Sequence, residues 1–320
     1  MQLSLFDDKF ILLNEGTSAL ITLDLEEAKT KLDLYKNRYS ETGEVDRKLA
    51  MTEFLMKGFA GATASGTEES VYLYSLWNSF EDYVEAEGFR TPDLLQEIKK
   101  SFFSKLIASL NGRHGAENAW LCDSVPLGQL FIEAGDYDRA IASLQSALMA
   151  PSGNGNASLL YGYMGDAYTA KGELTVARKC YLEACLIDPQ AIDWRRINDK
   201  ELAALRRTLV RDRGMNDPEA AEWLPSYAYI EELFQPKALR LKDELKRFVN
   251  EYHALDGIYK KRGDAALKPK LFIRAIILCD NAAILQHVKG IDLIQLRAQM
   301  KASDGSLFND YMKLMRSKRP

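Results

Sequence analysis

The chain has 320 residues, 47% of them hydrophobic and 28% charged, the balance of a globular protein long enough to bury a sizeable core. Its net charge of -4 argues against a general binder of nucleic acid or anionic membranes, and no apolar run approaches the roughly 18 residues of a membrane span. Met1-Gln2-Leu3-Ser4-Leu5-Phe6-Asp7-Asp8 lacks the basic start and apolar core of a secretion signal, and four cysteines do not suggest a disulfide scaffold, so a cytoplasmic protein is expected. Cys180 and Cys185, five residues apart on one predicted helix, face different ways and neither pair nor chelate well.

Between Phe10 and Tyr39, Gly16, Ala28 and Leu32 keep a spacing that returns further along the chain, and Asp24-Leu25-Glu26-Glu27-Ala28 reads as a helix start. Leu23 stands where the later copies have a turn glycine. From Asp46 to Phe59, Leu49, Met51, Leu55, Met56 and Phe59 predict another helix. Gly61-Ala62-Thr63-Ala64-Ser65-Gly66-Thr67 approaches a phosphate-binding loop but lacks its lysine and follows a helix rather than a strand, so it is read as a connecting loop. Val71, Tyr74, Trp77, Phe80 and Val84 form a helical stripe, read as core rather than a ligand cage. Thr91 as cap and Pro92 at the first position start a helix towards Leu110, ended by Asn111-Gly112-Arg113-His114-Gly115.

The densest signal follows. Ser124, Leu127, Gly128, Phe131, Gly135, Ala140, Leu144, Ala147 and Pro151 are answered by Tyr161, Met164, Gly165, Tyr168, Gly172, Ala177, Tyr181, Ala184 and Pro189. The offset is 37 residues (128 to 165), and 38 at the proline; the loop 151–156 absorbs the added length. Gly128 and Gly165 lie inside helical patterns, where glycine costs about 1 kcal/mol relative to alanine, so close approach of a second helix must offset them. Ala140 and Ala177 are small for the same reason, while Phe131, Leu144, Tyr168 and Tyr181 supply bulk. Gly135-Asp136 and Gly172-Glu173 mark turns, and Pro189 cannot continue a helix. Pro126 fits the first turn of its helix if Ser124 is the cap.

This tandem pattern resembles the tetratricopeptide repeat (TPR), W-x2-L-G-x2-Y, A-x3-F, P on a period of about 34 residues. The resemblance implies an all-α fold, a TPR-like α-α superhelix, with a tandem pair at 116–192 between helical regions at 1–115 (holding the degenerate copy) and 193–320. It also implies a concave groove lined by the first helix of each pair: Val125, Gln129, Ile132 and Glu133, then Gly162, Asp166, Thr169 and Ala170. None of these is lysine, arginine or asparagine, and Glu133 and Asp166 would repel a terminal carboxylate, so the clamp of the chaperone-binding subset is not expected.

After Pro189 the chain turns basic, with Arg195, Arg196, Lys200, Arg206, Arg207, Arg211 and Arg213. A solvated helix face explains them; the sharper alternative is a surface for an acidic partner or phosphates. Gln235-Pro236 is read as the start of a helix reaching Arg262 before Gly263. Leu241, Leu245, Phe248, Tyr252, Leu255 and Tyr259 form a short heptad seam, which packs inside the chain or, alternatively, joins a homodimer. Leu255, Tyr259, Gly263, Phe272 and Ala275 repeat the spacing of the earlier copies, with Asp256 and Lys268 at the small positions. Leu271 to Val288 reads as buried, and Ser306 to Met315 as a last helix before a basic end.

No constellation for chemistry stands out. His114, His253 and His287 have no metal-type spacing, and there is no nucleophile elbow or dinucleotide fingerprint. No catalytic residue, metal or cofactor is therefore expected. The reading is a non-catalytic scaffold or adaptor that binds another protein or peptide. The alternatives are a regulator touching nucleic acid or an acidic partner through Arg195, Arg196, Arg206, Arg207 and Arg211, and an all-α enzyme whose site the sequence hides.

Overall fold

Three times in this chain a helix glycine lies against a bulky side chain sixteen residues later. A Cβ on Gly16 would stand 2.9 Å from Leu32, one on Gly128 would strike Leu144, and one on Gly165 would come within 2.5 Å of the Tyr181 ring. These notches let paired helices approach closely, which offsets the helix propensity that glycine gives up. The computed structural model describes residues 2–39, 43–62, 67–89, 91–111, 120–122, 125–150, 156–239, 242–285 and 291–318. Helices packed in adjacent pairs make it an all-α helical-repeat fold. The chain divides into two compact units, Met1–Ala147 and Leu148–Pro320.

The first unit begins with α1 (Gln2–Thr22) and α2 (Leu25–Tyr39), followed by α3 (Glu44–Ala60), α4 (Thr67–Ala86) and α5 (Pro92–Asn111). Leu23 makes the α1/α2 turn with φ 61°, the left-handed conformation that Gly135 adopts in the later copy with φ 80°. Ala28 and Ala140 are fully buried at the matching positions. Trp77 of α4 meets Phe102 and Phe103 of α5 with ring centroids 5.1 and 5.7 Å away and has Phe80 beside it at 5.3 Å, so the aromatic stripe is core.

Thr91 does not cap α5 through its side chain. Its hydroxyl has no hydrogen-bond partner among the described residues, and only its carbonyl enters the helix, accepting from Leu95. A short antiparallel ribbon unforeseen in the sequence, β1 (Trp120–Cys122) with β2 (Val125–Pro126), leads into α6 (Leu127–Glu133), which pairs with α7 (Tyr137–Met149). Pro126 does not enter the first turn behind a Ser124 cap as expected: it is itself the N-cap residue, extended with ψ 146°, where its missing N–H is harmless. The expected cap Ser124, the loop 151–155 with Pro151, most of the Gly61–Thr67 segment, His114 and His287 lie outside the described residues.

The second unit starts with α8 (Ala157–Ala170) and α9 (Leu174–Ile187), joined through Gly172 at φ 81°. A short 3-10 turn (Pro189–Ala191) leads to α10 (Lys200–Arg211) and α11 (Asp217–Ile230). Then come α12 (Lys242–Arg262), α13 (Leu267–Asp280), α14 (Ala282–Leu285), α15 (Leu293–Ser303) and α16 (Gly305–Ser317). Buried without a break from Leu271 to Cys279, α13 is the centre of this unit and packs on α11, α12 and α15. Gly263, at φ 65°, makes the α12/α13 turn, as the fourth spacing match predicts.

One expectation is corrected here. The helix does not begin at Gln235-Pro236: α12 starts at Lys242, because Asn281 holds the preceding segment extended. Its Oδ1 accepts from Leu239 N at 3.0 Å and its Nδ2 donates to the Lys237 carbonyl at 2.8 Å. The heptad seam packs inside the chain, the first of its two readings: Leu245, Phe248 and Tyr252 are buried in the core of the unit, with Leu255 and Tyr259 packed against it. Leu241 lies outside the described residues.

Candidate interaction site

In the first unit the predicted groove residues of α6 turn towards α4 and α5. Gln129 is 2% exposed and donates Nε2–H to the Tyr74 hydroxyl at 2.9 Å. One turn later Glu133 accepts from Lys99 at 2.9 Å, and the same ammonium reaches Glu81 at 2.8 Å. Burial opposes the charge of Lys99, but the two carboxylates outweigh it and raise its pKa. Val125 is buried and Ile132 half-buried.

In the second unit the inner row of α8 is covered by the chain itself. Asp166 is 7% exposed and its Oδ1 accepts from the Tyr181 hydroxyl at 2.6 Å and from the backbone N–H of Asn198 at 2.7 Å. One turn earlier, Ile192 lies 3.5 Å from where a Gly162 Cβ would be, so residues 192–198 run along α8. Burial, then the neighbouring Asp166, pushes the Tyr181 phenol far above its ordinary pKa, which keeps it a donor. Thr169 is half-buried, its hydroxyl 3.5 Å from that of Tyr181, and Ala170 is exposed.

Further bonds fix this returning segment. The Trp194 indole donates to the Pro189 carbonyl at 2.7 Å, and Arg178 of α9 donates to Asp199 at 2.9 Å and also pairs with Glu201. Asp199 in turn caps α10, accepting from Glu201 N and Leu202 N at 3.0 and 3.1 Å. At the other end of α9, buried Arg274 donates to the Leu186 carbonyl at 2.6 Å, a cation on a helix C-terminus. None of Ile192, Trp194, Asn198 or Arg274 stood out in the sequence. The one available signal was three large apolar side chains, Ile192, Trp194 and Ile197, in an otherwise mainly polar and basic stretch.

The basic segment is largely neutralised in place. Arg206 pairs with Asp217 at 2.6 Å, Arg211 with Asp212 at 2.7 Å and Arg196 with Asp193 at 3.8 Å, while Arg213 lies 4.5 Å from the Tyr227 ring centre. The side chains of Arg195 and Arg207 are exposed. Among the described residues no group of three or more His, Cys, Asp or Glu is placed to hold a metal ion, and no helix is long and apolar enough to cross a membrane.

No curated protein and no solved structure matches the chain. The tetratricopeptide-repeat family matches over 160–191, the span that runs from α8 through the Gly172 turn and α9 to Ala191. The sequence pattern, the Gly165–Tyr181 crossing and the family match thus fall on one helix pair: residues 160–191 of this chain are a tetratricopeptide repeat.

Proposed function

We propose that this protein is a non-catalytic scaffold or adaptor of the cytoplasm that holds another protein or a peptide, and that the α6/α7 pair is a second, shortened repeat of the same kind. The observation that carries the reading is the tetratricopeptide repeat at 160–191, a unit whose general role is protein interaction and whose family is generally non-catalytic. Four unpaired cysteines suit a reducing compartment. Because residues 192–198 occupy the row of Gly162 and Asp166, we place partner contact at the open end of the repeat. There Thr169 and Ala170 finish α8, and Leu174 and Val176, 43% and 37% exposed, open α9. In the first unit, Ile132 and Glu133 are the groove residues we retain.

Affinity capture with the full chain tests this, comparing wild type with a Leu174→Asp/Val176→Asp variant checked for equal helicity and melting. A partner held by wild type and lost by the variant supports the reading. Equal capture moves the contact elsewhere on the chain, and a wild-type chain that captures nothing overturns the adaptor function.

A further inference from the structure

Beside the returning segment of the second unit is a surface hollow lined by Ile192, Trp194 and Pro218, by Arg195 and Arg206, and by the carboxylates of Asp193 and Asp217. Arg206 donates Nη2–H to Asp217 Oδ1 at 2.6 Å, while its Nε, buried, has no hydrogen-bond partner among the described residues. Nε–H and Nη2–H form one edge of a guanidinium, the edge that grips both oxygens of a carboxylate. Asp217 fills only half of that edge, and its side chain is 71% exposed, so little holds it there.

We propose that this hollow receives a single glutamate or aspartate side chain of a partner segment, with an apolar neighbour against Trp194. The incoming carboxylate takes both donors of Arg206, Asp217 swings out to solvent, and Arg195 closes over the bound group. The proposal rests on the adaptor reading and names the chemistry of its partner. A nucleic-acid backbone fits less well, because it needs cations at repeated spacing and of the segment's arginines only Arg195 and Arg206 line the hollow.

The test uses the full-length chain, labelled with 15N, and two degenerate heptapeptide pools that differ only in carrying glutamate or glutamine at the centre. We expect the glutamate pool to shift the Arg206 Nε–H and Trp194 indole signals and to bind at least about tenfold tighter than the glutamine pool. Arg206→Lys, which keeps the charge and loses the fork, should remove that preference. Asp217→Ala, at an exposed side chain, should tighten binding several-fold by removing the internal competitor.

No preference between the pools, a preference untouched in Arg206→Lys, or Asp217→Ala binding no tighter than wild type overturns the proposal. So does a single-stranded oligodeoxynucleotide that moves the same signals with higher affinity and steep salt dependence. A protein captured equally by wild type and Arg206→Lys, with no pool preference, removes the hollow and leaves the adaptor reading standing. No captured protein and no pool preference removes both.

Discussion

The backbone N–H of Asn198 lies 2.7 Å from the Asp166 carboxylate, on the row of α8 that the sequence resemblance assigns to a groove. The chain thus supplies its own occupant at that position. Asp166→Ala would leave this N–H unpaired and the Tyr181 hydroxyl with only Thr169, 3.5 Å away, and we expect a loss of about 1–3 kcal/mol. Asp166→Asn, which keeps one acceptor, should cost less. Urea midpoints at unchanged m-value, with hydrogen exchange at the Asn198 amide, check both.

Gly165→Ala should destabilise by about 1–3 kcal/mol even though alanine is the better helix former, because the added methyl would lie 2.5 Å from the Tyr181 ring. Gly257 of α12 is the control. Nothing lies within 4 Å of a Cβ there, so Gly257→Ala should stabilise by about 0.5–1 kcal/mol. Equal effects at the two positions in thermal melts would show that the glycine notch does not set the helix approach.

Glu232 holds φ 58°, a left-handed conformation that a side chain disfavours. Its exposed pair with Lys318 at 2.9 Å contributes little. Glu232→Gly is therefore expected to raise stability by roughly 0.5–1 kcal/mol, and chemical denaturation would show a higher midpoint.

Burial raises the thiols of Cys180 and Cys279 from 9.0 to about 11 and raises Cys185 as well. The folded chain keeps these protons after the unfolded chain has lost its own. Stability contributed by the protonated thiols is therefore intact below about pH 9 and falls as pH rises towards 11, by about 1.4 kcal/mol per pH unit for each thiol. Substituting Cys180 or Cys279 by Ala should flatten that slope. Alkylation of the native chain near pH 8 should mark the half-buried Cys122 first.

Where the sequence announced structure well, the contacts were local. Spacing sets Gly128 and Gly165 close to a second helix, and the structure adds which side chains they meet, Leu144 and Tyr181, and that Leu23 takes the turn conformation of the glycines it replaces. Two positions hid their roles. Asn281 keeps residues before α12 extended from across the fold, and no pattern near Gln235 records a side chain more than forty residues away. Arg195 and Arg196 read as part of a solvated basic helix face, whereas α10 starts only at Lys200 and residues 192–198 pack along Gly162 and Asp166 of an earlier helix. Composition gave the arginines of the basic segment but not their acidic partners, which only the packing of α10 and α11 brings close.

The sixteen-residue reach of each glycine notch also bears on the order in which the chain folds. Bringing Gly165 to Tyr181 closes a small loop, at an entropic expense that grows only slowly with length, so α8 and α9 are fit to meet early. The bond from Arg274 to Leu186 joins residues 88 apart and must await the later helices. A nascent chain halted before α13 would then carry a formed hairpin with the last turn of α9 still uncapped, and fraying of that turn would distinguish the unfinished unit from the finished one.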